Sequence, residues 1–271
     1  MPGIVGVHGI GKYDYYLRAG RSAPGAEAAM RRKWDRYLHA SLGGEAKPYF
    51  AEIAYYSHLL NDGGDLDAAP KEAMEAQTHQ VLVEWAKNLG LGEHITGALK
   101  SFTSRLLDRL DERSAAFVKL FAPEVATYLT DQGRREKCRN LVADVIRRHR
   151  PRVVIAHSLG SVVTYEALWA CPDIGADLLV TLGSPLGMRN VVFERLLPAP
   201  VNGRGERPPG VRRWVNIADK DDIAAIPPEL AGCFTGVDAE ELVNLDWIDF
   251  HTAEKYLGCP ALGAHLRPFL A

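Results

Sequence analysis

Short apolar runs rich in β-branched residues alternate along this chain with longer stretches of helical periodicity. The runs are bounded by glycine, proline or polar residues, which is typical of buried strands. They predict strands at Ile4–Val7, Ala51–Tyr56, Val153–Ala156, Leu178–Leu182 and Trp214–Ala218, with a candidate sixth at Leu242–Trp247. The helical stretches between them include Ala26–Ser41, Glu136–Arg148 and Ser161–Ala170. This alternation predicts an α/β fold with a mostly parallel central sheet and helices on both faces.

The chain length fits one core with insertions, so we expect residues 1–271 to form a single domain. The stretch from about 65 to 130 differs from the rest, because it is rich in Ala and Leu and contains no convincing strand. Phe102, Leu106, Leu107 and Leu110 repeat there as one apolar face. We expect a helical insertion between two strands. Its apolar stripe is equally compatible with a cap over an active site and with extra packing at the sheet edge.

Composition limits the partners and the surroundings of the chain. The 32 Lys and Arg residues against 34 Asp and Glu residues leave no basic excess for a nucleic-acid groove. No apolar run is long enough to predict a transmembrane helix, and the N-terminus lacks the pattern of a signal peptide. The four cysteines, at positions 138, 171, 233 and 259, form no C-x-x-C pair. We therefore expect a cytoplasmic protein with free thiols. The sequence does not indicate an oligomeric state.

The most informative motif is A-H-S-L-G at 156–160, which stands between a predicted strand and an apolar helix. A serine between small residues at this kind of junction is typical of the nucleophile elbow, usually written G-x-S-x-G. The flanking positions must be small because the turn is sharp and packs against neighbouring backbone. Ala156 departs from the usual glycine, whereas Gly160 fits. Ser158 would lie at a helix N-terminus, where N–H groups favour developing negative charge. The alternative is an ordinary turn serine.

The loop His8–Gly11 directly follows the first predicted strand. An H-G-x-G loop at this place supplies one of the oxyanion donors in lipases and esterases, and its glycines let backbone approach a substrate carbonyl. We assign the two donors as the N–H groups of Ile10 and Leu159. His8 itself is expected to be structural.

A phosphate-binding loop is an alternative for the same residues, since Gly6–Lys12 fits G-x-x-x-x-G-K. That motif requires a following serine or threonine to hold Mg²⁺. Tyr13 stands there instead, so we disfavour nucleotide binding.

An acid and a base follow the serine in the chain order that this type of enzyme uses. Asp222 is the preferred acid because an apolar run begins directly after it, with Asp221 and then Asp219 as alternatives. His251 is the preferred base, as it follows the last candidate strand. His265 is the other late histidine. An ordinary surface or core histidine is the alternative for His251.

Together these motifs resemble the α/β-hydrolase superfamily, and most closely its small bacterial lipases and esterases. The resemblance rests on V-H-G-I-G, A-H-S-L-G, the aspartate turn and the late histidine, with Leu182–Leu186 similar to a segment of lipase-like members. It covers four separated places in the chain. The stretch 65–130 departs from the smallest lipases. The resemblance specifies the substrate poorly, since esterases, lipases, thioesterases and some peptidases share these motifs.

The sequence therefore predicts a serine hydrolase that cleaves an ester with a small-molecule or lipid-like acyl group. Ser158 would be the nucleophile, His251 the base and Asp222 the acid that orients it, with Ile10 and Leu159 forming the oxyanion hole. No substrate-binding residue is predicted. Neither a metal nor an organic cofactor is expected, because the sequence has no H-E-x-x-H motif and no cluster with zinc spacing. The alternatives are a non-catalytic binding protein of the same fold and an acyltransferase or peptidase with the same triad.

Overall fold

A computed structural model describes residues 3–43, 47–61, 71–90, 112–245 and 251–270 of the chain. The strands are β1 Ile4–Val7, β2 Phe50–Ala54, β3 Val153–His157, β4 Ala176–Leu182, β5 Gly205–Glu206, β6 Val211–Asp219, β7 Phe234–Thr235 and β8 Ala239–Val243. Six of them form one parallel sheet in the order β2-β1-β3-β4-β6-β8, while β5 and β7 pair separately.

Helices surround this sheet. Those described are α1 Tyr13–Arg18, α2 Ala23–Leu42, α3 Ser57–Asn61, α4 Lys71–Asn88, α5 Glu112–Thr130, α6 Gln132–His149, α7 Leu159–Ala170, α8 Ala253–Gly258 and α9 Pro260–Leu270. The predicted α/β class with a parallel sheet and flanking helices is therefore confirmed.

Alternate residues of the central strands enter two different cores, one on each face of the sheet. In β3, Val154 and Ala156 join the core formed with α4, α5, α6 and α7. Val153 and Ile155 join the core formed with α2, α8 and α9, which includes Trp34. Because both faces are covered, these strands are apolar at nearly every position, and this explains why they were recognisable as continuous runs.

The sixth strand is displaced from its predicted position. We expected Leu242–Trp247, but β8 covers Ala239–Val243 and pairs in parallel with β6. It lies at the edge of the sheet, and Leu242 is 52 % exposed. The prediction relied on apolar side chains, whereas this strand is held largely by backbone pairing. Residues 246–250 lie outside the described part of the chain.

The order of the strands fixes where a site can form. The chain leaves β1 for β2 on one side and later enters β3 on the other side, so the connections diverge at the β1–β3 pair. In open α/β sheets the crevice at the carboxyl ends of two such strands is the usual place for ligands. The loop after β1 and the serine after β3 both lie there.

The described parts of the 65–130 stretch are helical, and they lie between β2 and β3 in the chain as expected. The indole Nε1 of Trp85 on α4 donates to the Ile223 carbonyl at 2.8 Å. Glu124 on α5 binds the amide of Gly11. Both contacts join this stretch to loops at the carboxyl end of the sheet. The predicted stripe from Phe102 to Leu110 lies outside the described residues.

All four cysteines are free thiols. Within the described ranges, no helix combines the length and the apolar character needed to span a bilayer.

Candidate active site

Ser158 occupies a strained turn between β3 and α7. Its φ and ψ are 56° and −133°, in a region that residues with a side chain rarely adopt. The Ser158 amide donates to the Leu182 carbonyl at 3.0 Å, which fixes the turn to the neighbouring strand. A Cβ atom on Gly160 would lie 2.3 Å from the His8 carbonyl oxygen. The glycine of the motif is therefore required by the close approach of β1, as the sequence pattern implied.

His251 bridges Ser158 and Asp222, although the three residues come from distant parts of the chain. The His251 Nε2 to Ser158 Oγ distance is 2.7 Å. The opposite ring nitrogen, Nδ1, lies 2.7 Å from Asp222 Oδ2 and 2.9 Å from Oδ1. Nδ1 therefore carries a proton that it donates to the carboxylate, which leaves Nε2 free to accept the serine hydroxyl proton. Ser158 is fully buried, as is the Asp222 side chain.

The other two aspartates of the turn have different surroundings. Asp219 is buried, and its carboxylate accepts hydrogen bonds from the amides of Asp221 and Leu245, so it supports the local backbone. The Asp221 side chain is 59 % exposed, with the nearby ammonium of Lys220 as its ionic neighbour. The structure thus brings the preferred residue, Asp222, to the imidazole and leaves the two alternatives elsewhere.

The alternative late histidine lies apart from the serine. His265 Nε2 is 2.8 Å from a Glu241 carboxylate oxygen, and its Nδ1 is 3.3 Å from the Arg213 guanidinium. It belongs to an ionic contact between α9 and the edge of the sheet.

Tyr256 is part of the site and was not predicted. Its hydroxyl donates to Asp222 Oδ2 at 2.7 Å and accepts from the Asp219 amide at 2.8 Å. Burial, together with the negative charge of Asp222, raises the Tyr256 pKa well above its usual value, so the phenol stays neutral and donates. The Ala224 amide binds the second oxygen of Asp222 at 2.9 Å. A tyrosine in the middle of a short helix gives no sequence signal for this role.

The predicted oxyanion loop lies against the serine. A Cβ atom on Gly9 would stand 2.5 Å from Ser158 Cβ and 3.0 Å from Ser158 Oγ. Only glycine allows the loop to come this close. Leu159 begins α7, directly after the serine. Within the described part of the chain, the amides of Ile10 and Leu159 donate to no other protein group. Both remain able to bind a substrate oxygen.

His8 has the structural role that was expected. Its Nε2 accepts the Tyr56 amide at 3.1 Å, and its Nδ1 lies 2.6 Å from the Gly9 carbonyl oxygen. The Tyr56 hydroxyl also donates to the His8 carbonyl at 2.7 Å. Burial lowers the pKa of His8 to about 3, so the ring is neutral at physiological pH. This neutral imidazole fixes the backbone that leads into Gly9.

Glu124 anchors the far side of the same loop. The Gly11 amide lies 3.2 Å from both carboxylate oxygens of Glu124. The pKa of Glu124 is raised chiefly by burial, while Gly11, Asn61 and Lys12 oppose that shift. Sequence reasoning missed this residue, because a glutamate on a helix has many possible partners.

The same surroundings argue against a phosphate-binding loop. Gly6 lies inside β1, where a Cβ atom would come 2.4 Å from Ile53 Cδ1, so it packs against a neighbouring strand. The Gly11 amide already donates to the Glu124 carboxylate, so it is not free to bind a phosphate oxygen as the loop motif requires.

His157 directly precedes the nucleophile, and its ring contacts two other rings of the site. Its ring centre lies 4.8 Å from that of His251 and 5.7 Å from that of Tyr256. Burial, and then the charge of His251, lower the pKa of His157 well below its usual value. The uncharged ring of His157 therefore packs against the ring of His251.

Among the described residues, no group of His, Cys, Asp or Glu side chains is arranged to hold a metal ion. The chemical groups gathered here are a serine hydroxyl, an oriented imidazole, a buried carboxylate and unoccupied backbone N–H groups. No protein-family model, curated protein or solved structure matches this chain.

Proposed function

We propose that this chain is a serine hydrolase that cleaves a carboxylic ester through an acyl-enzyme on Ser158. The observation that carries the proposal is the continuous hydrogen-bonded series from Ser158 through His251 to Asp222. A serine within 2.7 Å of an imidazole nitrogen has a base in position to remove its proton. The carboxylate on the opposite nitrogen keeps the ring in the required tautomer and stabilises its cationic form.

The reaction would proceed in two steps. Ser158 Oγ attacks the ester carbonyl while its proton passes to His251 Nε2, and the amides of Ile10 and Leu159 bind the resulting oxyanion. His251 then gives the proton to the leaving alcohol. In the second step a water molecule attacks the acyl-enzyme carbonyl while His251 takes its proton. The carboxylic acid product then leaves, and Ser158 regains its proton from His251. Loss of one oxyanion donor typically costs about 100- to 1,000-fold in kcat, and loss of the nucleophile costs more.

We also assign the chain to the α/β-hydrolase fold. Three features support this assignment. The serine lies in a left-handed turn between a parallel strand and a helix, with a glycine two residues later packed against β1. The loop after the neighbouring strand is glycine-rich and lies against the serine. The serine, acid and base follow one another in the chain order used by that fold.

The helices of the 65–130 stretch are proposed to form a cap. Support comes from the contacts of Trp85 with Ile223, next to Asp222, and of Glu124 with Gly11, next to Ile10. An apolar cap suits an ester with a small or lipid-like acyl group. Because Ser158 is fully buried, substrate entry requires groups around it to move.

Pre-steady-state kinetics with p-nitrophenyl butyrate test this proposal. An acyl-enzyme intermediate predicts a burst of nitrophenol whose amplitude equals the concentration of active enzyme. Ser158→Ala should abolish the burst, whereas Ser57→Ala, which removes another buried serine, should keep it. Adding an alcohol acceptor separates a hydrolase from an acyltransferase, because only the latter gives mainly the transferred ester. A folded protein with no turnover of any ester would favour the binding-protein alternative.

A further inference from the structure

A basic cavity begins at the oxyanion loop and follows the groove between α1 and α2. Its volume is ≈ 610 Å³, and Gly11 is one of the residues that line it. The charged side chains that line it are Asp14, Arg18, Arg32 and Lys33. Gly9, which lies against Ser158, is two residues from Gly11, a distance of about 7 Å at most along the backbone. The cavity therefore lies next to the loop that contacts the serine.

Among the described residues, the cations that line the cavity outnumber the carboxylates that pair with them. Asp14 pairs with Arg18 at 3.3 Å, and both side chains are exposed. For Arg32 and Lys33 the described residues provide no carboxylate within ion-pair distance. The Lys33 ammonium lies 5.1 Å from the centre of the Tyr15 ring, and a hydrogen bond with the Tyr15 side chain raises the pKa of Lys33. These cations stand together in a chain whose formal net charge is -2.

The positive potential extends toward the serine through Lys12. This residue follows Gly11 and is partly buried. Its pKa is lowered chiefly by burial and further by repulsion from Lys33, while Glu124 opposes the shift. The charge of Lys12 also lowers the pKa values of His8 and His157, which border the site. An anion between α1 and α2 would relieve the repulsion between the two lysines.

We propose that this cavity binds a phosphate group carried by the ester substrate, on the alcohol side of the scissile bond. The proposal rests on the proposed function. A phosphate dianion presents several acceptor oxygens, which suits the guanidinium of Arg32 and the ammonium of Lys33 better than a single carboxylate would. Glu124 is not among the residues that line the cavity, and the charge of Lys12 acts against its own. The substrate class is thus an acyl ester of a phosphorylated small alcohol.

The test compares two esters that differ only in the phosphate: 1-hexanoylglycerol and 1-hexanoylglycerol 3-phosphate, both below their micellar concentrations. The wild-type protein should prefer the phosphorylated ester by about tenfold or more in kcat/KM, and this ratio should fall as salt is added, because exposed charges are screened. The double variant Arg32→Gln/Lys33→Met should bring the ratio close to one.

A matched control removes two positive charges elsewhere. Arg212 lines a different cavity, and Arg267 is an exposed residue of α9, so Arg212→Gln/Arg267→Gln should keep the wild-type ratio. A wild-type ratio near one, or a ratio that the Arg32/Lys33 variant leaves unchanged while it folds normally, would overturn the proposal.

A binding measurement separates this inference from the proposed function. Calorimetric titration of Ser158→Ala with glycerol 3-phosphate should show salt-sensitive binding that the added Arg32→Gln/Lys33→Met substitutions abolish. Absence of that binding overturns the phosphate subsite even if neutral esters are hydrolysed. Binding without any turnover or burst retains the subsite and rejects the hydrolase.

Discussion

The phenolic hydroxyl of Tyr256 donates a 2.7 Å hydrogen bond to the same Asp222 oxygen that lies 2.7 Å from His251 Nδ1. The acid of the site is therefore held by α8 as well as by the turn that contains it. The Tyr256 hydroxyl simultaneously accepts the Asp219 amide, so one side chain links the end of β6 to the carboxylate.

Tyr256→Phe should weaken both folding and catalysis. The substitution keeps the ring but leaves a buried carboxylate oxygen and a buried amide without this partner, which costs about 1–3 kcal/mol. Urea unfolding should show that loss, and kcat should fall with little change in KM because Asp222 is less well positioned. Tyr49→Phe, at a buried tyrosine whose hydroxyl is 3.5 Å from His39, is the control. Equal stability and kcat for both variants would contradict this role.

Glu124 should act on catalysis by positioning the oxyanion loop. Glu124→Ala removes the acceptor for the Gly11 amide, and we expect kcat to fall about tenfold, or about 1.4 kcal/mol, with little change in KM. The affinity of an alkyl boronate, which mimics the tetrahedral intermediate, should fall in parallel. Glu124→Gln keeps an acceptor oxygen and should restore most of both quantities. If the glutamine and alanine variants behave alike, the amide contact does not position the loop.

Gly160→Ala should be strongly destabilising. The new methyl group would lie 2.3 Å from the His8 carbonyl oxygen and 2.6 Å from that of Val7, which are backbone atoms at the carboxyl end of β1. Forcing β1 away should cost about 1–3 kcal/mol or more in the free energy of unfolding. Gly232→Ala meets no atom within 4 Å and should change the stability little. Thermal unfolding of the two variants measures the difference in stability. Equal stabilities would show that the backbone of Val7 and His8 moves away from residue 160 at little cost.

Stability should decrease as the pH falls below the ordinary histidine pKa of 6.5. The folded state keeps His8 and His157 neutral, with the His8 pKa at about 3, whereas the unfolded chain protonates both. The unfolded state therefore binds more protons in this window, and each histidine contributes a loss of up to about 1.4 kcal/mol per pH unit. His157→Asn should reduce the slope of unfolding free energy against pH. An unchanged slope would mean that His157 has the same pKa in the folded and the unfolded state.

The sequence was informative where one local physical requirement determines the residues. Strands covered on both faces need continuous apolar runs, so β1, β3 and β4 were found close to their observed bounds. The elbow needs a small residue at 160, which made Ser158 recognisable. The displaced β8 shows the limit of this reasoning, because an edge strand can be held by its backbone with polar side chains such as Glu240 and Glu241.

The supporting contacts of the candidate site could not be predicted. Tyr256 reaches Asp222 from 34 positions away, and Glu124 reaches Gly11 from 113 positions away. Neither residue lies in a recognisable motif. A tyrosine or a glutamate on a helix commonly faces solvent or packs in a core, so its residue type alone does not indicate a role in the site. The choice of Asp222 over its neighbours depended on the apolar run that follows it, and the structure explains that run by the packing of Ala224 and Ala225 in the interior.

The most direct measurement is labelling with a fluorophosphonate probe, followed by mass spectrometry to locate the adduct. We expect one adduct per chain, on Ser158. Ser158→Ala and His251→Ala should both abolish this adduct, whereas Ser57→Ala and His265→Ala should retain it. No labelling of the folded wild-type protein, or an adduct on another residue, would contradict the assignment of Ser158 as an activated nucleophile.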